Sequence, residues 1–164
     1  MNSKKLFIWG FLFVSVIGTL LHFVYEWSGN NSIVRLFAPW NESTWEHMKL
    51  LFFPMLALVL FLFFKLPEQS PIPVALSFGT LVGLALIPIL FYTYTGVLGF
   101  SVMAIDIAIF YISVLGAFLI GWFLKDNREL ANHSGLLLTC LVILAILFFI
   151  FNYYPPGIGL FQEP

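Results

Sequence analysis

Charged side chains are scarce in this sequence. Only 9% of its 164 residues are Asp, Glu, Lys or Arg, whereas 61% are hydrophobic and the mean hydropathy is +1.01. A soluble domain is about 45–50% apolar and about 25% charged. A chain of this length cannot hide so much apolar surface in its own core, so the composition excludes a soluble enzyme, a disordered tail and a disulfide-rich secreted module. A net charge of -1 provides no basic surface, which argues against nucleic acid as a partner.

Cysteine is almost absent as well. The single cysteine, Cys140, cannot form an internal disulfide, and its apolar surroundings indicate a small buried hydrophobic side chain rather than a redox thiol. The sequence also lacks the alternation of polar and apolar residues that is typical of membrane β-strands. It contains no nucleophile-elbow, HExxH, phosphate-loop or dinucleotide-binding motif.

Long apolar runs dominate what is present. A membrane-spanning helix needs roughly 20 mostly apolar residues, and five segments meet this requirement: 6–25, 45–64, 72–94, 101–124 and 135–154. The sequence therefore predicts an all-α, polytopic membrane helix bundle with five transmembrane helices in a single domain, residues 1–164. The first run is longer than a typical signal-peptide core and no small-x-small cleavage site follows it, so we interpret it as a retained helix.

The basic residues predict an orientation. With the N-terminus in the cytoplasm, five basic residues fall on the cytoplasmic side and two on the outer side, which agrees with the positive-inside rule. The five are Lys4, Lys5, Lys65, Lys125 and Arg128, and the two are Arg35 and Lys49. The C-terminus is then outside.

Pro155 and Pro156 end the last helix, and we expect the apolar tail 157–164 to fold back over the outer face or to lie in the interface.

The remaining ionisable groups concentrate near the predicted outer ends of the helices. Because such groups are costly in a membrane, they tend to mark function. In the first segment Ser15, Thr19, His22 and Glu26 follow one another at spacings of four, three and four residues, so they share one helix face. The two small residues are explained equally well by hydrogen bonds to backbone carbonyls. A His and a Glu four residues apart can bind a metal or share a proton.

The start of the second segment has a structural explanation that covers only some of its polar residues. Ser43, followed three residues later by Glu46, forms a capping-box pattern, and Asn41 is an alternative cap. Neither cap accounts for Glu42 or His47, which are therefore candidates for a functional site.

Asp106 is the most unusual residue of the fourth segment because it lies between Ile105 and Ile107. A carboxylate there costs several kcal/mol, so it must be protonated, paired or exposed to water. The candidate partners on the same side are His22, His47 and Lys49. Tyr94, at the end of the third segment, is either an interfacial anchor or a hydroxyl donor to this region.

The block 39–54, with Asn41-Glu42-Ser43 followed by Trp45-Glu46-His47, resembles a family of small bacterial integral membrane proteins of unknown function. The similarity covers most of the chain, including the His and Glu near the end of the first helix and the Tyr-Pro-Pro stretch near the C-terminus. The resemblance implies a multi-pass protein of the bacterial plasma membrane and brings no activity with it.

Three functions are compatible with this pattern. The leading hypothesis is a metal-dependent hydrolase in the outer leaflet that acts on a lipid or a small amphiphile entering from the membrane. The alternatives are a proton- or cation-coupled transporter or channel, and a structural or accessory membrane subunit; a homo-oligomer is compatible with each.

The hydrolase hypothesis gives each polar residue a role. A divalent ion such as Zn or Fe is bound by His22, Glu26 and His47, because imidazole and carboxylate are ligands for these metals. The candidate catalytic carboxylates are Glu46, Asp106 and Glu42. The candidates for proton relay or hydrogen bonding are Asn41, Ser43 and Tyr94.

Overall fold

A computed structural model describes residues 2–164, and in this part of the chain all regular structure is helical. The helices are α1 (Ser3–Trp27), α2 (Thr44–Lys65), α3 (Ile72–Leu98), α4 (Met103–Leu124), the short α5 (Arg128–Ala131) and α6 (Ser134–Phe151). Among the described residues, five helices are long and apolar enough to cross a membrane, and they are all of these except α5. The predicted all-α bundle is confirmed, and the predicted segment ends differ from the helix ends by at most four residues, as at Tyr94 against Leu98.

Local sequence signals explain where these helices start and stop. Ser43 precedes α2, and its hydroxyl accepts a hydrogen bond from the Glu46 backbone N–H at 3.3 Å. α3 continues through Pro88 and ends at Gly99, whose φ of 81° lies in the left-handed region that glycine tolerates. The turn after Gly99 is short, so α4 begins beside the end of α3.

The closest helix pair is α3 with α4, because small residues face each other along their contact. A Cβ atom added to Gly79 would lie 2.2 Å from the Ala117 carbonyl oxygen, and one added to Gly83 would lie 2.9 Å from that of Ser113. Small residues allow helix backbones in a membrane to approach and gain dispersion contacts. α2 packs against both α1 and α3, and α6 lies at the edge of the bundle on α3 and on the aromatic side chains of α2, as in the contact of Phe148 with Phe52.

The C-terminal tail returns to the bundle. It forms a 3₁₀ turn at Gly159–Phe161, and the Phe161 ring lies 4.9 Å from the Trp45 ring and 5.2 Å from the Phe151 ring. The tail thus folds back onto the end of the bundle through Phe161, as one of the two expectations had it, while Ile158 remains 57% exposed.

One end of the bundle collects the polar residues. The rings of His22 in α1 and His47 in α2 are neighbours, Tyr94 in α3 bonds Asp106 in α4, and Lys49 in α2 bonds the residue that follows α6, Asn152. The ends of α1, α3 and α6 therefore lie beside the starts of α2 and α4. We call this end of the bundle the site face.

Candidate functional site

Three side chains on the site face could hold a metal ion. His22, Glu42 and His47 each offer one ligand atom, and these atoms all lie within 4.8 Å of one another. His22 is carried by α1, four residues after Gly18, where an added Cβ would lie 2.5 Å from the Leu50 carbonyl oxygen of α2. This close approach of α1 to α2 brings the two imidazole rings to a centroid distance of 5.3 Å.

The orientation of His47 suits a metal ligand. Its Nδ1 lies 3.0 Å from the Ser43 carbonyl oxygen, one turn back along the chain, and because a carbonyl only accepts, Nδ1 carries the proton. In the neutral ring the Nε2 lone pair then points towards Glu42, whose Oε2 lies 3.4 Å away. A hydrogen bond from the second ring nitrogen to a backbone carbonyl is the usual way in which proteins orient metal-binding histidines.

His47 Nε2 and Glu42 Oε2, 3.4 Å apart, are paired when a proton lies between them. The bond to the His47 ring holds the pKa of the Glu42 carboxyl below its usual value, against the opposing effect of partial burial. Glu42 is therefore an anion at neutral pH, which is the state that a metal requires.

Asp106 approaches the same site from α4. It lies in the first turn of that helix, where the helix dipole favours a negative charge, and its carboxylate accepts a hydrogen bond from the Tyr94 hydroxyl. The Tyr94 oxygen in turn accepts the Val102 backbone N–H at 3.0 Å. Asp106 is close enough to His47 for their charges to interact. The hydrogen bond from Tyr94 and the position at the helix start thus reduce the predicted cost of placing the Asp106 carboxylate in the membrane.

Glu46 belongs to a different cluster, which is buried. Its carboxylate receives a hydrogen bond at 2.6 Å from Lys49, and these side chains are 3% and 0% exposed, respectively. Lys49 also donates to the Asn152 side-chain oxygen and to the Arg35 backbone oxygen, both at 3.1 Å. The Arg35 guanidinium donates to the Asn152 backbone oxygen at 2.7 Å and lies 3.8 Å from the centre of the Trp40 ring. This buried cluster ties the loop before α2 to the end of α6.

The other predicted site residues occupy the margins of the site. Asn41 accepts the Ser43 backbone N–H at 3.0 Å, while Ser43 caps α2. The predicted capping box is thus only half formed, because the Glu46 carboxylate reaches Trp40 N at 3.4 Å instead of Ser43 N. Glu26 is exposed on the last turns of α1 and interacts electrostatically with His22, but it is not one of the three clustered ligands.

The rest of the polar face of α1 continues below His22. Thr19 donates a hydrogen bond to the Ser15 carbonyl oxygen at 2.8 Å, as the backbone-bonding explanation predicted, and it also contacts the Tyr111 hydroxyl of α4 at 2.9 Å. The Ser15 hydroxyl has no partner among the described residues and is buried.

Sequence reasoning missed Arg35, Asn152 and Tyr111. Arg35 was assigned only to the outer-side charge count, and the sequence suggested no role for Asn152, at the end of the last predicted segment, or for Tyr111, inside the fourth. Their partners lie 92 to 117 positions away in the chain, so no local spacing signals these contacts. The assignment of Glu42, rather than Glu26, to the cluster likewise depends on how the loop before α2 folds over α1.

The arrangement has the kinds of ligand that could hold a metal ion. Two imidazoles and one carboxylate converge, a second carboxylate is held nearby by a tyrosine, and the Glu42 side chain is 67% exposed. The site is therefore accessible from outside the bundle.

Comparison with known proteins places the chain in a family but assigns it no activity. No curated protein and no solved structure matches it significantly. The sequence profile of a family of unknown function, DUF6512, matches residues 1–164, and the protein therefore belongs to that family.

Proposed function

We propose that this membrane protein is a metal-dependent hydrolase that acts on a lipid or another amphiphile at the membrane surface. The observation that carries the proposal is the convergence of His22, Glu42 and His47, whose ligand atoms lie within 4.8 Å of one another. Glu42 takes the place that the sequence alone suggested for Glu26.

The ligand set favours zinc bound in a catalytic manner. Two ligands at about 2.0–2.1 Å from a tetrahedral metal lie roughly 3.3–3.4 Å apart, and the separation of His47 Nε2 from Glu42 Oε2 is 3.4 Å. His22 would be the third ligand, after a small shift of its ring towards the ion. Two His and one Glu leave the fourth position for water, whereas structural zinc sites are closed by four protein ligands.

Asp106 is suited to act as the general base in this proposal. Its hydrogen bond from Tyr94 holds the carboxylate on the site face, where its charge interacts with that of His47. In the hydrolysis of an acyl linkage, water adds to the carbonyl carbon and gives a proton to Asp106. The bond to the leaving oxygen or nitrogen then breaks, and this atom receives that proton.

The surroundings of the site support an amphiphilic substrate. His22 lies on a helix whose neighbouring side chains include Phe23 and Trp27, which stack at 5.7 Å and are exposed by 42% and 67%. Exposed aromatic residues at a helix end are typical of the membrane interface. We assign the site face to the outer surface of a bacterial plasma membrane because of the Lys and Arg distribution and the family resemblance of the block 39–54.

Metal analysis of the purified protein tests the proposal. We expect about one zinc or iron per chain by mass spectrometry of the elements, and a loss of at least tenfold in H22A, H47A and E42Q. The matched control is H133A, because His133 also places its Nδ1 near a carbonyl one turn back, that of Glu129 at 3.1 Å, but lies outside the clustered ligands.

Activity completes the test. Metal-loaded protein is incubated with a panel of acyl esters and amides in mixed micelles, and D106N is expected to retain metal but to lose hydrolysis by about a hundredfold or more. If the ligand variants hold as much metal as H133A, the metal centre is refuted. If metal binds but proton or cation flux into liposomes, rather than hydrolysis, depends on Asp106, the transporter alternative replaces the hydrolase.

A further inference from the structure

A pair of hydroxyl groups faces outward along the seam between α1 and α4, below the three clustered ligands. Thr19 and Tyr111 are both exposed, and their oxygens lie 2.9 Å apart. Thr19 is eight residues before the end of α1 and Tyr111 eight residues after the start of α4. At about 1.5 Å per residue, both lie roughly 12 Å below the helix ends. In a membrane protein this depth is within the apolar layer, where an exposed polar pair is costly.

The protons of this pair can be assigned. Thr19 has one hydroxyl proton, and it donates this proton to the Ser15 carbonyl oxygen at 2.8 Å. In the hydrogen bond between the two hydroxyls, Tyr111 is therefore the donor and the Thr19 oxygen is the acceptor. The Tyr111 oxygen keeps its acceptor capacity, and no residue within 2–164 donates a hydrogen bond to it. The seam thus presents an unused acceptor to the lipid.

We propose that this pair is a subsite for the substrate chain, and that the substrate is an amphiphile with a hydroxyl or amide donor on the apolar side of its hydrolysed linkage. The inference rests on the proposed hydrolase. Thr19 precedes His22 by three residues, which places it about 4.5 Å deeper along α1. A chain that extends from a linkage at the metal ligands into the membrane along α1 then passes the level of Thr19 and of its partner Tyr111.

The Tyr111 oxygen is an acceptor, so the substrate chain needs a donor. A plain acyl chain cannot bond to this oxygen, whereas a hydroxyl or N–H close to the linkage can donate to it at a depth where no water competes. Tyr111 is thus a specificity-determining residue, held in place by its bond to Thr19, and it is distinct from the residues that bind the metal.

Two esters that differ by one hydroxyl test this subsite. The detergent-purified, metal-containing protein is mixed with equal amounts of methyl 3-hydroxyhexadecanoate and methyl hexadecanoate, and bound molecules are counted by native mass spectrometry, which also resolves any acid formed. We expect the hydroxylated ester to be preferred about three- to tenfold, the ratio expected from one net hydrogen bond. Y111F is expected to lose the preference, whereas T19S, which retains a hydroxyl, is expected to keep it.

Y92F is the matched control, since Tyr92 is exposed to a similar extent on α3, away from this seam. Melting temperature and metal content are measured for every variant, and both are expected to stay at the wild-type values in Y111F. Equal binding of the two esters by the wild type, or an unchanged preference in Y111F, overturns the subsite while leaving the metal centre intact. Absence of metal overturns the hydrolase, whereas a preference that Y111F removes still supports the subsite.

Discussion

At the scale of single residues, the protein separates two kinds of buried or half-buried charge. Lys49 and Glu46 are sealed from solvent and bond to each other and to neighbouring loops. His22, Glu42 and His47 remain partly accessible, and the Nδ1 atom of His22 has no hydrogen-bond partner among the described residues. The sequence revealed that these residues are unusual for a membrane segment. It could not show which of these residues form the buried cluster and which remain accessible. That depends on Arg35 and Asn152, whose positions follow from the fold of the loop before α2 and of α6.

The buried pair yields a prediction about stability. K49M removes the partner of a carboxylate that has almost no access to water, and we expect a loss of about 3–5 kcal/mol in the free energy of unfolding. The double variant E46Q/K49M removes the unpaired charge and should recover part of this loss. Thermal unfolding in detergent of the wild type, both single variants and the double variant measures the coupling. If the effects of the single variants simply add, the two side chains do not act as a pair.

At the scale of helices, the apolar lengths were sufficient to predict every membrane-spanning element to within four residues. They were not sufficient to predict which helices touch most closely. The close contact of α3 with α4 depends on Gly79 and Gly83 meeting the backbone of Ser113 and Ala117. In sequence these glycines look like ordinary weak points of a helix. Their importance appears only when the opposing carbonyls are in place.

Glycine substitutions test this contact. In G79A the new methyl group would lie 2.2 Å from the Ala117 carbonyl oxygen, so the two backbones must separate, and we expect a loss of about 1–3 kcal/mol in stability. G96A is the matched control on the same helix because nothing lies within 4 Å of its added Cβ. It is expected to leave the melting temperature unchanged or slightly raised. A melting temperature of G79A equal to that of G96A would show that the contact is looser than described.

At the scale of the whole molecule, composition predicted a membrane protein and the apolar runs predicted its five spanning helices. The resemblance to a family of unknown function is confirmed over the full chain. The predicted orientation depends on the asymmetry of Lys and Arg between the two ends of the bundle. Helix packing is the same for either orientation in the membrane, so the predicted orientation depends on the positive-inside rule alone.

Labelling of introduced cysteines tests the orientation. In a C140S background, single cysteines replace Ser32, in the loop before α2, and Gln69, in the loop before α3; both positions are exposed. A membrane-impermeant maleimide added to intact cells should label S32C at once and Q69C only after the cells are permeabilised. The reverse pattern would place the site face in the cytoplasm and would reassign the leaflet from which the proposed substrate enters.

The two histidines of the site also have a mechanical consequence. His22 belongs to α1, whereas Glu42 and His47 lie at the start of α2, and the loop 28–43 connects the two helices. An ion held by all three side chains would bind only when α1 and the start of α2 are docked, so its binding free energy would add to the stability of the folded protein. Metal binding and the docking of α1 on α2 would then reinforce each other, so removal of the ion would lower the stability of the contact between these two helices.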